Sequence, residues 1–328
     1  MLPVATPAEM AAADRRAIDA GTSEQTLIDR AGRAVAWQAR RLLGGTYGRR
    51  VVVVCGVGNN GADGRVAARV LEQWGVRVDL VDLPARARGE VDTAALRRSI
   101  ERCDLAIDAM FGTGMRGELV DDAAAVALAL RDAPLVLAVD VPSGVDGATG
   151  VIGAGEGSVA VEADATVTFV AHKPGLLLEP GRSHAGAVTV ADIGFDAGPV
   201  RAGLLTSDDV RAVLVRSARR PTDHKWSAAV CVVGGSAGMT GAPMLAARAA
   251  QRCGAGMVVA ALPGVAAHQA SGHEVVTRAL SATPLGAIDE RATDEVLADL
   301  HRFRALVIGP GIGLAAPTAQ VVRTLVAT

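Results

Sequence analysis

The chain has 328 residues, half of them hydrophobic (50%) and 21% charged, which excludes a disordered chain and leaves room for two domains with sizeable cores. Lysine and arginine number 33 against 35 acidic residues, a net charge of −2, so no global basic field recruits nucleic acid or an anionic membrane. Aromatic residues, at 2%, are also too few for a base-stacking platform.

The start, MLPVATPAEMAAADRR, lacks a basic segment followed by an apolar one, so no signal peptide is expected. No apolar run approaches the ~20 residues of a membrane span. Cys55, Cys103, Cys231 and Cys253 show neither CxxC nor Cys/His spacing and read as buried thiols of a reducing compartment, with the cytoplasm as the expected location.

Along the chain, Met10, Ile18, Leu27, Ile28, Ala31, Val35 and Leu42 recur at helical spacing until Gly44 and Gly45 stop the run. Strands and helices then alternate: a strand at 51–55, a helix at 62–74, a strand at 76–81, a helix at 93–102, a strand at 105–108, a helix at 119–131 and a strand at 135–140. Strand-like stretches continue at 165–170 and 187–192, and a weaker stretch at 194–219 holds the helix-like TSDDVRAVL. The alternation restarts with a strand at 228–233, the glycine loop GGSAGMTGAP, a helix at 244–252, strands at 257–262 and 304–308, the turn GPGIG and a helical pattern at 317–326. Strands that are apolar on both faces and joined by helices predict a parallel, doubly wound α/β sheet. The restart predicts two domains, 1–200 and 201–328.

The first glycine loop, in VVVVCGVGNNGADGR, spells G-x-G-x-x-G through Gly56, Gly58 and Gly61, and Asp79 or Asp82 falls near the acidic position of a dinucleotide fingerprint. The loop also carries Asn59, Asn60 and Asp63, three short oxygen-bearing side chains; ordinary turn chemistry is the alternative reading. Two later strands end in Asp108 and Asp140, each followed by a glycine-rich turn. Carboxylates on buried strands are costly unless paired, hydrogen-bonded or bound to a cation. With Asn60 and Ser143 they point to an oxygen-lined cation site beside a phosphate cradle, the alternative being aspartates that cap their own turns.

NNGADG, DAMFGTGMRGE, VDVPSGVDGATG and TFVAHKPGL, in that order over about residues 5–195, resemble the YjeF N-terminal domain, the NAD(P)H-hydrate epimerase family. That family usually has NNGGDG; Ala62 stands at the second glycine, which is harmless if the position starts a helix. The resemblance implies a Rossmann-like sheet and interconversion of the R and S epimers of hydrated NADH and NADPH at C6. It implies that Asn59, Asn60, Gly61, Ala62 and Asp63 line this substrate, together with Gly112, Thr113, Gly114, Met115, Arg116, Gly117 and Glu118. Asn60, Asp108 and Ser143 match the family's potassium ligands, and Asp140 its dinucleotide-contacting aspartate. Asp140 is the first candidate for proton transfer and Lys173 the second, the alternative for Lys173 being a solvent-facing residue before a turn.

DHKWSAAVCVVGGSAGMTGAP and the loop GPGIG resemble the opening of the YjeF C-terminal domain, the ribokinase-like, ADP-dependent NAD(P)H-hydrate dehydratase, with Trp226 where that family has glycine. Ala242 and Gly313 would then touch the hydrated dinucleotide. The family's glycine-aspartate loop, which holds ADP, has no counterpart before Thr328, so an incomplete ribokinase-like domain is expected. His224 and Lys225 read as a catalytic pair or as an entry turn. The expected partner is a small molecule, with no nucleic acid and no membrane, and a homo-oligomer is left open. An NAD-dependent dehydrogenase and a non-catalytic dinucleotide-binding module are the rival readings. Of the six histidines only His172 and His184 lie in the first domain, outside the strand-end cluster, which disfavours the dehydrogenase.

Overall fold

The computed structural model describes residues 1–83, 91–115, 117–153, 155, 157–213, 222–270 and 274–328, without the side chains of residues 265 and 269. The chain divides into two compact units, Met1–Val215 and Arg216–Thr328.

Unit 1 opens with β1 (Leu2–Val4), α1 (Pro7–Asp19) and α2 (Glu24–Leu42). A reciprocal cap starts α1: the Thr6 hydroxyl accepts from the Glu9 amide, the Glu9 carboxylate accepts from the Thr6 amide, and Pro7 occupies the first turn. There follow β2 (Arg50–Cys55), α3 (Asn59–Gln73), β3 (Arg77–Asp82), α4 (Thr93–Ile100), β4 (Leu105–Ala109), α5 (Asp121–Leu130), β5 (Val136–Val139), β6 (Ala165–Phe169), α6 (Gly181–Ala185), β7 (Ala187–Ala191), β8 (Ala202–Leu204) and α7 (Ser207–Val213).

Six of these strands form a parallel sheet in the order β3-β2-β4-β5-β6-β7. The valine run of β2 is continuous because both faces are covered. Val51, Val53 and Cys55 join Val35, Leu71 and Ile107 in one core, while Val52 and Val54 join Ile100, Val126 and Leu130 in the other. From β2 the chain goes to β3 on one side and then returns to β4 on the other. The strand order therefore reverses between β2 and β4, and the loops at their carboxyl ends part to leave a crevice.

The predicted doubly wound sheet is present, with differences at its margins. β1 pairs antiparallel with β8, Leu2 opposite Leu204 and Val4 opposite Ala202, and the amino terminus pairs with Asp209. These contacts tie residues beyond 200 to the start of the chain, so the units divide after 215. Three-residue strands carry too little periodicity to be read in advance. α3 starts at Asn59, not at 62, which leaves Ala62 inside the helix, where a methyl group costs nothing.

Unit 2 contains β9 (Ala229–Val233), α8 (Gly241–Arg252), β10 (Met257–Pro263), α9 (Gly264–Gln269), β11 (Val276–Leu280), α10 (Ala292–Leu300), β12 (Ala305–Ile308) and α11 (Ala316–Ala327). Its parallel sheet runs β11-β10-β9-β12, so its order reverses between β9 and β12. Val232, Met244, Val258 and Leu262 fill one side, and Val233, Ile288, Val296 and Val321 the other. β11 was not expected, because VTRAL, buried only at Leu280, lacks the apolar run of its neighbours. Cys253, expected to be buried, is exposed at the end of α8, whereas Cys55, Cys103 and Cys231 are buried. Among the described residues no helix is long and apolar enough to cross a membrane.

Candidate active site at the strand ends

A cavity of about 550 Å³ lies over the carboxyl ends of β2, β4 and β5, within the range of small-molecule sites. Its sheet side is formed by Val57, Asn59, Asn60, Asp63, the stretch from Met110 to Met115, Asp140 and Lys173; α1 and α2 supply Met10, Asp14, Ile18, Glu24, Leu27 and Ile28. Glycine lets the backbone close up here. A β-carbon on Gly56 would run into the carbonyl oxygen of Met110, and one on Gly112 would sit 3.0 Å from Asp140 Oδ2 and 3.1 Å from Asn60 Oδ1. α3 begins behind Gly58 with no side-chain cap, so its first amides are left for another acceptor, the arrangement that receives an anion.

Asp140 directly follows β5 and holds φ at +66°, a region few residues other than glycine, asparagine and aspartate enter. Its Oδ1 lies 2.9 Å from Lys173 Nζ and accepts from Thr168 Oγ1 at 3.0 Å; its Oδ2 accepts from the Thr113 amide at 3.2 Å. Burial alone would push this carboxyl up, but the Lys173 ammonium and these hydrogen bonds hold it below the usual carboxylate range. Lys173 is 1% exposed and also donates to Thr168 Oγ1 at 2.7 Å and to the Phe169 carbonyl at 2.9 Å. The solvent-facing alternative for Lys173 is thereby overturned: the chain bends over β6, with Val170 at φ +67°, and folds the lysine inward.

Beneath the cavity, Asp108 is fully buried in β4. Its Oδ1 accepts from Ser143 Oγ at 2.7 Å and from the Met110 amide at 3.2 Å, and its Oδ2 accepts from the Ser143 amide at 2.8 Å. Burial pushes Asp108 up to about 6, opposed by these bonds. Ser143 Oγ also accepts from the Phe111 amide at 3.0 Å, so Asp108 and Ser143 together shape the turn that carries Gly112. The side-chain nitrogen of Asn60 is buried with no hydrogen-bond partner among the described residues. The two aspartates are thus more than caps of their own turns: each bonds to a segment from another strand end.

Asp63 is 7% exposed, and burial, followed by the charges of Asp140 and Asp14, pushes it up to about 8. Asp14 is likewise raised by burial, against the pull of Lys173. Asn59 donates to Glu24 at 3.2 Å at the cavity wall. Of the remaining candidates, Gly61 and Ala62 lie in the helix behind this wall, Gly61 against the carbonyl of Gly56. Gly117 and Glu118 lie beyond the lining, where Glu118 accepts from the Gly155 amide at 3.2 Å, and Arg116 lies outside the described residues.

No motif pointed to Asp14, Glu24, Met10 or Ile18. One signal was available: Met10, Asp14 and Ile18 recur every fourth residue on α1, so Asp14 is a carboxylate on an otherwise apolar stripe.

In unit 2 the loops after β9 and β12 meet at that sheet's reversal. The Gly235 amide donates to the Pro310 carbonyl at 2.8 Å, and Ser236 Oγ donates to the Gly311 carbonyl at 3.1 Å. Ala242 starts α8 beside Gly311, and Gly313 follows with φ at +79°. His224 accepts from the Trp226 amide at 3.4 Å, and Trp226 packs edge-on against Phe303 under Arg302. These contacts favour the entry-turn reading of His224 and Lys225.

The family described as YjeF-related protein N-terminus matches residues 24–96 and 83–175, and the family described as NAD(P)H-hydrate dehydratase matches residues 230–328. Three proteins called bifunctional NAD(P)H-hydrate repair enzyme Nnr are similar to nearly the whole chain. The one from Moorella thermoacetica is 36% identical over 98% of the chain and 66% of its own length. The one from Salinibacter ruber is 35% identical over 99% and 67%, and that from Pyrobaculum aerophilum 33% identical over 98% and 66%. The chain spans about two thirds of the length of these curated relatives.

Proposed function

The chain belongs to the family of bifunctional NAD(P)H-hydrate repair enzymes, and from that premise we propose that unit 1 interconverts the R and S epimers of hydrated NADH and NADPH, while unit 2 contributes to their dehydration. The observation that carries the reading is Asp140: an ionised carboxylate, held by Lys173, Thr168 and the Thr113 amide, on the wall of a cavity at the sheet's reversal point.

The chemistry follows from the substrate. C6 carries a hydroxyl and the ring nitrogen, so departure of the hydroxyl leaves an iminium stabilised by that nitrogen. Return of water to the opposite face inverts the centre. A base must take a proton from the returning water, and Asp140 suits this role because its environment keeps it charged. Lys173 acts through Asp140, orienting and ionising it. The uncapped start of α3 and the turn from Gly112 to Met115 are the natural receptors for the pyrophosphate.

Potassium is part of this proposal, with Asn60, Asp108 and Ser143 as ligands. The donor set is hard oxygen throughout, which suits such a cation. The unpartnered Asn60 amide fits as well: turned about its axis, it offers an oxygen at the buried position. The ion would offset the buried carboxylate charge and order the turns. In unit 2, Ala242 and Gly313 are proposed to face the hydrated dinucleotide, with ADP as the co-substrate of dehydration. A cytoplasmic location and a small-molecule partner complete the reading.

The dehydrogenase rival has one observation against it. Asp82, at the end of β3 where a coenzyme ribose would be read, is bound to Arg65 at 2.7 Å. The test of the epimerase reading is incubation with the R epimer of hydrated NADH, with and without potassium, followed by chromatographic separation of the epimers. Conversion faster than the spontaneous rate is expected; its absence would leave a dinucleotide-binding module.

A further inference from the structure

Unit 1 holds a second carboxyl whose surroundings are opposite to those of Asp140. Asp63, near the start of α3, lines the same cavity and is more than nine-tenths buried. Its carboxyl has no hydrogen-bond or ion-pair partner among the described residues, and the charges it feels most, Asp140 and Asp14, are both negative. The nearby cation is spent: Lys173 directs its ammonium to Asp140, Thr168 and the Phe169 carbonyl. A buried carboxyl facing two like charges and no cation keeps its proton.

We propose that Asp63 is the acid that protonates the departing C6 hydroxyl, opposite Asp140 as the base; this rests on the epimerase reading given above. Two carboxyls in one cavity whose environments hold one neutral and the other ionised form an acid–base pair. The step balances. The C6–O bond breaks with its electrons going to oxygen, the Asp63 proton converts that oxygen to water, and the ring-nitrogen lone pair forms the C6=N bond. Water then adds to the other face, its oxygen bonding to C6 as the C=N π electrons return to nitrogen, and Asp140 takes its proton. Solvent exchange returns a proton to Asp63. In the reverse direction the two residues trade roles. Asp14 adds a third carboxyl to the wall, and this acidic lining favours the positively charged ring formed between the two halves of the step.

The test measures incorporation of 18O from labelled water at C6 of hydrated NADPH by mass spectrometry, with binding of plain NADPH measured by calorimetry. D63N is expected to exchange oxygen at least ~100-fold more slowly than the unmodified chain, the scale of general acid catalysis, and by far more than any loss of NADPH binding. D63E, which keeps a proton but displaces it, is expected to recover part of the exchange; this comparison serves if D63N folds poorly. Exchange by D63N at the unmodified rate, or loss of exchange only in proportion to lost NADPH binding, would overturn the proposal. Failure of the unmodified chain to exchange above the spontaneous rate would instead overturn the epimerase reading itself.

Discussion

Asp140 Oδ1 and Lys173 Nζ stand 2.9 Å apart, in a pair where the lysine is 1% exposed. Lys173 reaches the site over a backbone bend at Val170, and Asp140 meets it from a residue at φ +66°. Both positive-φ positions bring the two side chains of one contact together.

This pair predicts asymmetric mutant behaviour. K173M leaves the carboxylate buried without a counter-ion and should cost about 3–5 kcal/mol, whereas D140N/K173M should recover most of that loss. Urea unfolding of both variants checks this, and a K173M variant as stable as the unmodified chain would contradict it. Neither variant should epimerise: D140N/K173M lacks the base, and in K173M the aspartate has lost the ammonium that holds it ionised. D140A should be less stable than D140N by about 1 kcal/mol, because alanine tolerates positive φ less well than asparagine.

Asp63 predicts a pH-dependent stability. Its folded pKa lies near 8, above the ordinary 3.8, so its contribution is fully present below pH 3.8 and is lost as the pH rises toward 8. Stability of the unmodified chain should therefore fall relative to D63N across that window, by at most about 1.4 kcal/mol per pH unit. Urea midpoints of the two proteins at pH 5 and pH 8 measure the difference. Parallel behaviour at both pH values would show that Asp63 is not held neutral.

Gly112 predicts a loss of activity without unfolding. In G112A the added carbon meets Asp140 Oδ2 and Asn60 Oδ1 at 3.0 and 3.1 Å, so both side chains must shift by a few tenths of an ångström. Epimerisation should fall about 10–100-fold, the cost of small misplacements in a preorganised site, while the melting curve stays close to that of the unmodified chain. Wild-type turnover by G112A would mean that neither side chain needs its observed position.

The proposed potassium ligands give a prediction separable from the proton transfers. Potassium should accelerate epimerisation, and N60A should abolish the acceleration while leaving the fold intact. S143A removes a donor to Asp108 and the acceptor of the Phe111 amide, and should cost about 1–3 kcal/mol in urea unfolding. Equal rates for the unmodified chain with and without the ion would remove potassium from the mechanism.

Much of the fold was legible from VVVVC, LAIDA and similar runs, because a strand covered on both faces must be apolar at every position and so stands out from its surroundings. β1, β8 and β11 were not legible. The first two are short and pair with each other from opposite ends of unit 1, and the third lacks an unbroken apolar run. In the site, Asp108 and Asp140 were visible as carboxylates at the ends of apolar strands. Lys173 had two equal readings until its burial decided between them.

The order of strands and helices, the glycine turns and the oxygen-rich strand ends are properties of short segments, set by local periodicity and by the backbone freedom each residue allows. The amino-acid order alone therefore pointed to the strand ends that line the cavity. It did not determine the protonation states there. Asp63, in the first turns of α3, and Asp140, directly after β5, are the same residue type on one cavity wall, yet the first is crowded by the carboxylates of Asp14 and Asp140 and the second is clasped by a lysine from beyond β6. Coulomb interactions and desolvation act through space, so only the folded arrangement could raise the carboxyl of one and lower that of the other.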